Sequence, residues 1–600
     1  MAASHDNDEV DDDGRSYVTE GTPEVMYSGD FGSLVPDNPE ATTAFNNVVA
    51  FLEDSATESI EPYHKRFVSV EIASPPSPSP QTSPLLRPIP DAPSPSSSLS
   101  SDHPRGPAPR GRYRLSLDVL PEGPGAAWRI GKGSARYDDD GRGIDLLLVP
   151  QGQHKGLGVA NVHALISIHG RSGAFMLRST SRRPIVYLSA AEDGSDLVLR
   201  HMDQTVLYRA VNRLRIGALD YLLTIGVEQE SHFKLLRNQF ISTFLEETSL
   251  PHPMLDVVPQ SYHQRMCGYV VHKPISAGAF GMVRSAVDGT TGEPVAVKRL
   301  SCKGARDTSA AGAEARMAGL FSSDNHDSGV IPLLAAWCEH GVRPACGESP
   351  EDVFLAMPLA ITDFGHAPWP SIPMASRLAL LRYTLLGIAR IHAAGIIHRD
   401  VSVKNLLVRS LDPPVAAVCD FGKATDRPHS TNTAIGPIET VAPEVWMSAP
   451  HNPYGRSVDM WSLGYAWLST FGHLRGIVSA SGSLKTDATR ALGIRQELDR
   501  RARSGAMPAD LGNLLRQMMD VDPRQRYTAE QALRHPTWNL LSKTVSDEGD
   551  DRAKRRRLLT PEEEEPVGAC PADESTIPDT EASLAATVQI PGRPGESAVV

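Results

Sequence analysis

Two short apolar runs, each ending in charged residues, constrain this chain more than any other feature. In AGIIHRDVSVKNLLV, Gly395 closes an amphipathic helix over residues 378–393, and the loop behind it displays His398, Arg399, Asp400, Lys404 and Asn405. Shortly afterwards, LDPPVAAVCDFG reads as a buried strand that ends at Asp420, Phe421 and Gly422. Two carboxylates and an amide on neighbouring loops make an oxygen-rich site suited to a hard cation that bridges phosphates.

Phosphate handling is also legible earlier in the chain. KPISAGAFGMVRSAV places Gly278 and Gly281 in a turn between two strand-like runs, with Ser276 ahead of them. Glycine lets backbone amides approach phosphate oxygens without a Cβ clash. A further turn, DGTTG, leads into PVAVKRL, where strand alternation puts Ala296 and Lys298 on one face and Val295 and Val297 on the other. That face offers a small apolar surface to an adenine ring and an ammonium to phosphates. Between Arg299 and Cys338 the sole glutamate is Glu314, in the helix-compatible run SAAGAEARMAGLF. It shares a face with Met317 and Ala318, which makes it the partner for Lys298.

In this order, IxxGxxGxV, VAVK, HRDxxxxN, DFG and APE resemble the motif set of the eukaryotic protein kinase family, at residues 275–283, 295–298, 398–405, 420–422 and 442–444. DMWSLG at 459–464 and DPRQRYTAEQALRHPTW at 522–538 extend the resemblance. It implies an α+β fold of two lobes with ATP and magnesium in the cleft. It also implies that Ile275, Ser276, Ala277, Gly278, Ala279, Phe280, Gly281, Met282, Val283 and Ala296 surround ATP. Met357 and Ala360 would belong to the hinge that contacts adenine, with Met357 near the gatekeeper position. Lys298 would hold the α- and β-phosphates, fixed by Glu314. Asp400 would accept or orient the substrate hydroxyl proton, Asn405 and Asp420 would ligate magnesium, and Glu444 with Arg526 would form a structural ion pair. Catalysis of this kind is positioning and charge neutralisation.

The chain departs from the family pattern in places. Ser276 replaces the first loop glycine, and Ser402 stands where Ser/Thr members carry a lysine after the catalytic aspartate. Lys404 resembles instead the tyrosine-kinase placement of that cation, so it joins the catalytic candidates. Pro437 and Thr440 alter the floor for the peptide substrate. The ending DPRQRYTAEQALRHP resembles the Ser/Thr branch and favours Ser/Thr hydroxyls of protein substrates. A dual-specificity or tyrosine acceptor and a pseudokinase scaffold remain as alternatives; the presence of Lys298, Glu314, Asp400, Asn405 and Asp420 speaks against the scaffold. Arg399 beside Asp400 suggests regulation by a phosphate on Ser430, Thr431 or Thr433.

Around this segment, 263–540, the composition shifts. Residues 1–125 carry an acidic run and then SPPSPSPQTSP and APSPSSSLS, and read as disordered. Residues 126–227 alternate short apolar runs with Gly and Asp turns, the pattern of a β-sandwich. Within them WRIGKG, VHALISI and NRLRIGALDYLLTI resemble a forkhead-associated (FHA) domain, which implies a docking or phosphoprotein partner. Ala160 and Asn161 occupy the family's phosphate-binding Ser-Arg positions ahead of His163, and Lys132 keeps a phosphate-facing charge. Residues 228–262 read as a linker with a helix at 232–247, and 541–600 as a disordered tail.

The net charge of −13 argues against general nucleic-acid binding. None of the six cysteines forms a C-x-x-C pair, which fits a reducing compartment. No apolar run is long enough to span a bilayer, so no membrane role is expected. RAKRRRL at 552–558 resembles a nuclear-import signal, which leaves nucleus or cytoplasm as the expected location.

Overall fold

The computed structural model describes residues 28–53, 64–70, 111–121, 125–132, 143–150, 156–245, 251–278, 281–322, 328–338, 351–432, 440–447, 453–472 and 487–541. The apolar runs of the first part become strands β1 (Asp30–Pro36), β2 (Val68–Val70), β3 (Gly111–Ser116), β4 (Trp128–Gly131), β5 (Leu146–Leu147) and β6 (Val162–Ile168). They continue as β7 (Phe175–Ser179), β8 (Ile185–Tyr187), β9 (Leu197–Leu199), β10 (Gln204–Val206), β11 (Val211–Ile216) and β12 (Leu219–Ile225). Two sheets result, in the orders β2-β3-β1-β12-β11-β8-β9 and β10-β7-β6-β4-β5. In β12, Leu219, Tyr221, Leu223 and Ile225 are buried and alternate with more exposed residues, the period of a strand with one face on the core.

Disorder throughout 1–125 does not hold. Strand β1 lies between β3 and β12, and helix α1 (Pro39–Glu53) buries Phe45 edge-on to Tyr113 at 4.9 Å between ring centroids. Phe31, Leu34, Phe45, Val48 and Val49 form an apolar face that only distant strands complete, and their Pro/Ser-rich surroundings hide it from a compositional reading. The sheets therefore begin near residue 28 rather than 126. Residues 1–27 and 71–110, like the tail with RAKRRRL, lie outside the described residues.

Helix α2 (Glu230–Phe244) covers the strands, stacking Phe240 on Trp128 and packing Phe233 near Phe31. It starts and ends slightly earlier than the pattern predicts.

The second part opens with strands β13 (Gln264–Met266), β14 (Tyr269–Gly278), β15 (Gly281–Asp288), β16 (Pro294–Leu300), β17 (Ala335–Cys338) and β18 (Val353–Pro358). Their order is β13-β14-β15-β16-β18-β17, all antiparallel, and helix α3 (Ala305–Gly319) packs against β18. A small sheet of β19 (Thr362–Asp363), β20 (Leu406–Leu411) and β21 (Pro414–Val418) follows. Around it pack α4 (Met374–Ala393), α5 (Pro443–Met447), α6 (Ser457–Thr470), α7 (Asp487–Arg503), α8 (Ala509–Met518) and α9 (Ala529–Leu533). Among the described residues no helix is long and apolar enough to cross a membrane.

The two parts meet along the turn between β15 and β16. Val206 N donates to Gly289 O at 2.8 Å, and Arg171 Nη1 donates to Glu293 Oε2 at 2.7 Å. The connector from Pro251 to His263 runs beside this seam. His252 N donates to Arg171 O at 3.0 Å, and Arg237 Nη1 donates to Val257 O at 3.3 Å.

Candidate active site

Strand β16 sets the first half of the site. Val295 and Val297 bury with Trp337 and Phe354 on one face of the sheet. Ala296 turns to the other face, into an apolar cluster with Leu359 against which Ile275, Val283 and Met357 also pack. Leu255 and Val257 of the connector belong to that same cluster. The register pairs Ala296 with Met357 and Lys298 with Leu355.

Lys298 Nζ donates to Glu314 Oε1 and to Asp420 Oδ1, each at 2.7 Å. Glu314 reaches it from α3, so the helix, the sheet and the segment after β21 meet at one ammonium. Burial by itself would lower the Lys298 pKa, but Glu314 and Asp420 outweigh it and hold the group above its ordinary value. Burial raises the Glu314 carboxyl, with Lys298 opposing. At Asp420 the balance reverses: burial pushes up, yet Lys298 and the Gly422 amide bring the carboxyl below its usual range.

The return of the β14–β15 hairpin depends on Gly281, whose φ is +146°. A Cβ there would lie 2.0 Å from Arg299 O, so no other residue fits. Gly278 pairs across from Gly281. Ser276, Ala277 and Met282 are exposed, while Ile275 and Val283 are half-buried. Ala279 and Phe280 lie outside the described residues, as do Thr433 and Pro437.

The second half is the loop between α4 and β20. Asp459 on α6, fully buried, accepts from His398 N at 2.9 Å, Arg399 N at 2.8 Å and His392 Nε2 at 2.9 Å. This one carboxylate pins the loop from below, and its hydrogen bonds and the adjacent histidines hold its pKa down despite burial. Asn405 Nδ2 donates to Asp400 O at 2.8 Å, and Asn405 O accepts from Cys419 N at 3.0 Å. The two loops are therefore joined directly.

Arg399 and Asp420 both adopt left-handed backbone, at φ 66° and 70°. Such conformations cost on the order of 1–2 kcal/mol for an L-residue, so the surrounding contacts must hold them. For Arg399 those contacts are Nε to Lys423 O at 2.6 Å, Nη2 to Ala424 O at 3.3 Å and Nη1 to Ser430 Oγ at 3.0 Å. Phe421 stacks on Phe321 at 5.4 Å, which anchors the turn between Asp420 and Lys423.

Asp400 is half-buried. Burial raises its carboxyl above the ordinary aspartate range, and the Lys423 ammonium gives the largest opposing pull, ahead of His398. Lys404 is exposed, whereas Ser402 is buried. Arg526 and Glu444 meet at 2.7 and 3.1 Å, with the guanidinium over the Trp461 ring.

Three residues of this region escaped the sequence reading. Asp459 stood inside DMWSLG without a role. Lys423 follows Gly422 directly, yet its residue type alone does not separate it from a surface lysine. His252 carries no local signal, because its partner is Ala360, whose carbonyl lies 2.7 Å from His252 Nε2.

In the first part, Lys132 N donates to Ala160 O and Asn161 O, both at 3.1 Å. Ala160 N donates to His163 Nδ1 at 3.1 Å, and His163 is fully buried, so this histidine braces the loop from inside.

Comparison with known proteins agrees with this geometry. The family model described as a protein kinase domain matches residues 269–538. Mitogen-activated protein kinase 12 of Homo sapiens is 29% identical over 304 residues, covering 46% of this chain and 79% of the relative. Extracellular signal-regulated kinase 1 of Dictyostelium discoideum is 27% identical over 308 residues, covering 46% and 55%. Serine/threonine-protein kinase RAD53 of Saccharomyces cerevisiae is 27% identical over 293 residues, covering 46% and 33%. Residues 269–538 are therefore a protein kinase domain with homologues among the serine/threonine kinases.

Proposed function

We propose that this kinase transfers the γ-phosphoryl group of ATP to Ser or Thr hydroxyls of protein substrates, with the N-terminal β-rich part acting as a docking module. The observation that carries the reading is the bridge of Lys298 to Glu314 and Asp420, made beside Asp400 and Asn405. Lys298 holds the α- and β-phosphates, and Glu314 keeps it aimed. Ala296, Ile275, Val283 and Met357 give adenine an apolar face, and the hinge backbone from Met357 to Ala360 meets its edge.

The donor set fits magnesium. The Asp420 carboxylate and the Asn405 amide oxygen are hard ligands, and Asn405 turns its nitrogen to the Asp400 carbonyl. Bound there, magnesium would supply neutralisation of phosphate charge. Asp400 takes the proton of the acceptor hydroxyl, for which its burial-raised carboxyl is suited as a weak base.

Docking is favoured over phosphopeptide recognition for the first part. Ala160 and Asn161 bring no positive side chain to their loop, and His163 is buried inside it. The order of the two sheets supports an FHA-like sandwich. Radiolabelled ATP transfer to a protein acceptor by wild type and Asp400→Asn tests the enzyme reading, which fails if the variant keeps wild-type rates. Titration with phosphothreonine peptides tests the docking reading, which tight binding would overturn.

A further inference from the structure

The backbone just after β18 is anchored on both sides of a free donor. Leu359 N donates to Pro294 O at 3.3 Å, and Ile361 N donates to Val408 O at 2.9 Å. The Ala360 carbonyl lies 2.7 Å from His252 Nε2. A peptide unit is planar, and Ala360 O and Ile361 N are the two ends of one such plane. His252 therefore holds one end of that plane and Val408 the other. The plane before it carries Ala360 N, which has no acceptor among the described residues. Ala360 is half-buried, so an unpaired N–H there is costly until an acceptor meets it.

His252 is itself fixed from several directions. Met254 N donates to its Nδ1 at 3.2 Å, so Nε2 carries the proton and donates to Ala360. Its own N–H reaches Arg171 O at 3.0 Å, and its carbonyl accepts from Leu255 N at 3.1 Å. Leu255 and Val257 bury in the cluster that contains Ala296 and Leu359 and that Ile275, Val283 and Met357 pack against. Between them, Asp256 N donates to His272 Nδ1 at 3.4 Å, and the Asp256 carboxylate meets Lys273 Nζ at 3.2 Å. The connector is thus pinned to β14 and to the face of β16 that carries Ala296. The Lys298 bridge to Glu314 is made with these contacts in place, so they are compatible with a cleft arranged for phosphates.

We propose that His252 is a positioning residue for the nucleotide: by fixing the Ala360 carbonyl, it holds the neighbouring Ala360 N–H in place for a ring nitrogen of the bound base. The inference rests on the kinase reading above, in which the backbone from Met357 to Ala360 meets adenine. Without His252 only Ile361 N anchors that plane, and the donor beside it can swing. His252 lies outside residues 269–538, so the nucleotide site is completed by a residue that precedes the kinase domain.

The test compares full-length wild type with His252→Ala, His252→Gln, Arg171→Ala and Asp400→Asn, each shown by its urea curve to be folded at the assay temperature. The measurements are the Kd of Mg·ATP, the KM for ATP and kcat. His252→Ala should raise Kd and KM about 10-fold with kcat within about 2-fold of wild type, the size expected from one hydrogen bond. His252→Gln, whose amide can donate to the same carbonyl, should return Kd to within about 3-fold of wild type. Arg171→Ala removes the side-chain pair with Glu293 but leaves the carbonyl that His252 N reaches, so its Kd should stay within about 2-fold. An unchanged or tighter Kd in His252→Ala overturns the assignment, as does a fall in kcat alone or an equal rise in Arg171→Ala, while Asp400→Asn remains inactive. Wild-type transfer by Asp400→Asn sinks the kinase reading and this inference together.

Discussion

His252 Nε2 lies 2.7 Å from the carbonyl oxygen of Ala360, so a residue of the connector holds the segment just after β18. Met254 N donates to His252 Nδ1 at 3.2 Å, which makes Nε2 the protonated nitrogen and the donor to Ala360. The same histidine receives the carbonyl of Arg171 on its own N–H, and Arg171 pairs with Glu293. The β-rich part, the connector and the segment after β18 are thereby one hydrogen-bonded path.

His252→Ala breaks that path at its centre. Loss of one half-buried hydrogen bond should cost about 0.5–1.5 kcal/mol, read as a lower midpoint in urea unfolding. His252→Gln, whose amide can donate to the same carbonyl, should recover part of the loss. Equal midpoints for the alanine variant and wild type would show that the contact bears no stability.

A second cluster on the connector predicts how the protein responds to acid. His263 Nε2 contacts Asp256 Oδ2 at 2.9 Å, Lys273 Nζ contacts Asp256 Oδ1 at 3.2 Å, and the His263 and His272 rings stack at 4.0 Å. Burial, reinforced by His263, Lys273 and Arg284 and opposed by Asp256, lowers the His272 pKa from 6.5 to about 3. The folded state then binds fewer protons than the unfolded state between those values, so stability falls as pH drops through that window. Asp256 resists burial through His263, Tyr262 and Lys273, and its carboxyl is held well below the ordinary range. Its contribution is present above the unfolded aspartate value and is lost on further acidification. Stability should decline from about pH 6.5 downward, and His272→Asn should flatten the upper part of that decline. Urea midpoints measured across the range decide it: parallel curves for the two proteins would refute the role of His272.

How much of this was readable beforehand follows from the distance over which each feature is encoded. Lys298 and Glu314 meet because strand alternation and helix spacing place them, and both periods are local. The alternation that buries Val295 and Val297 apart from Ala296 is likewise visible in PVAVKRL. By contrast, β1 and α1 are apolar segments inside biased surroundings, and only pairing with β3 and β12 explains why they order. The grip of Arg399 on Lys423 and the reach of His252 to Ala360 join residues far apart in sequence, with no repeating pattern to announce them.

Arg526 predicts a structural failure distinct from a chemical one. Its guanidinium is fully buried, bound to Glu444, to Asp520 O and to Ser457 O. Removing one partner of a buried pair strands the other charge, so Arg526→Ala should cost about 3–5 kcal/mol. Urea unfolding would register this directly. A variant with an unchanged midpoint would mean that the pair is solvated.

The contact of Arg399 Nη1 with Ser430 Oγ at 3.0 Å selects among the hydroxyls that could carry a regulatory phosphate. Thr431 is exposed and makes no such contact, and Thr433 lies outside the described residues. A phosphate on Ser430 would add charge-assisted bonds to the guanidinium that already grips the Lys423 and Ala424 carbonyls. The turn after Asp420 would then be held more firmly against the Asp400 loop, and kcat should rise by about 10-fold, the order expected from one or more charge-assisted bonds. Ser430→Ala should abolish that rise, and Thr431→Ala should retain it. Phosphopeptide mapping paired with kinetics on protein treated with or without phosphatase separates the two sites. If the rise persists in Ser430→Ala, the phosphate that Arg399 answers to is carried elsewhere.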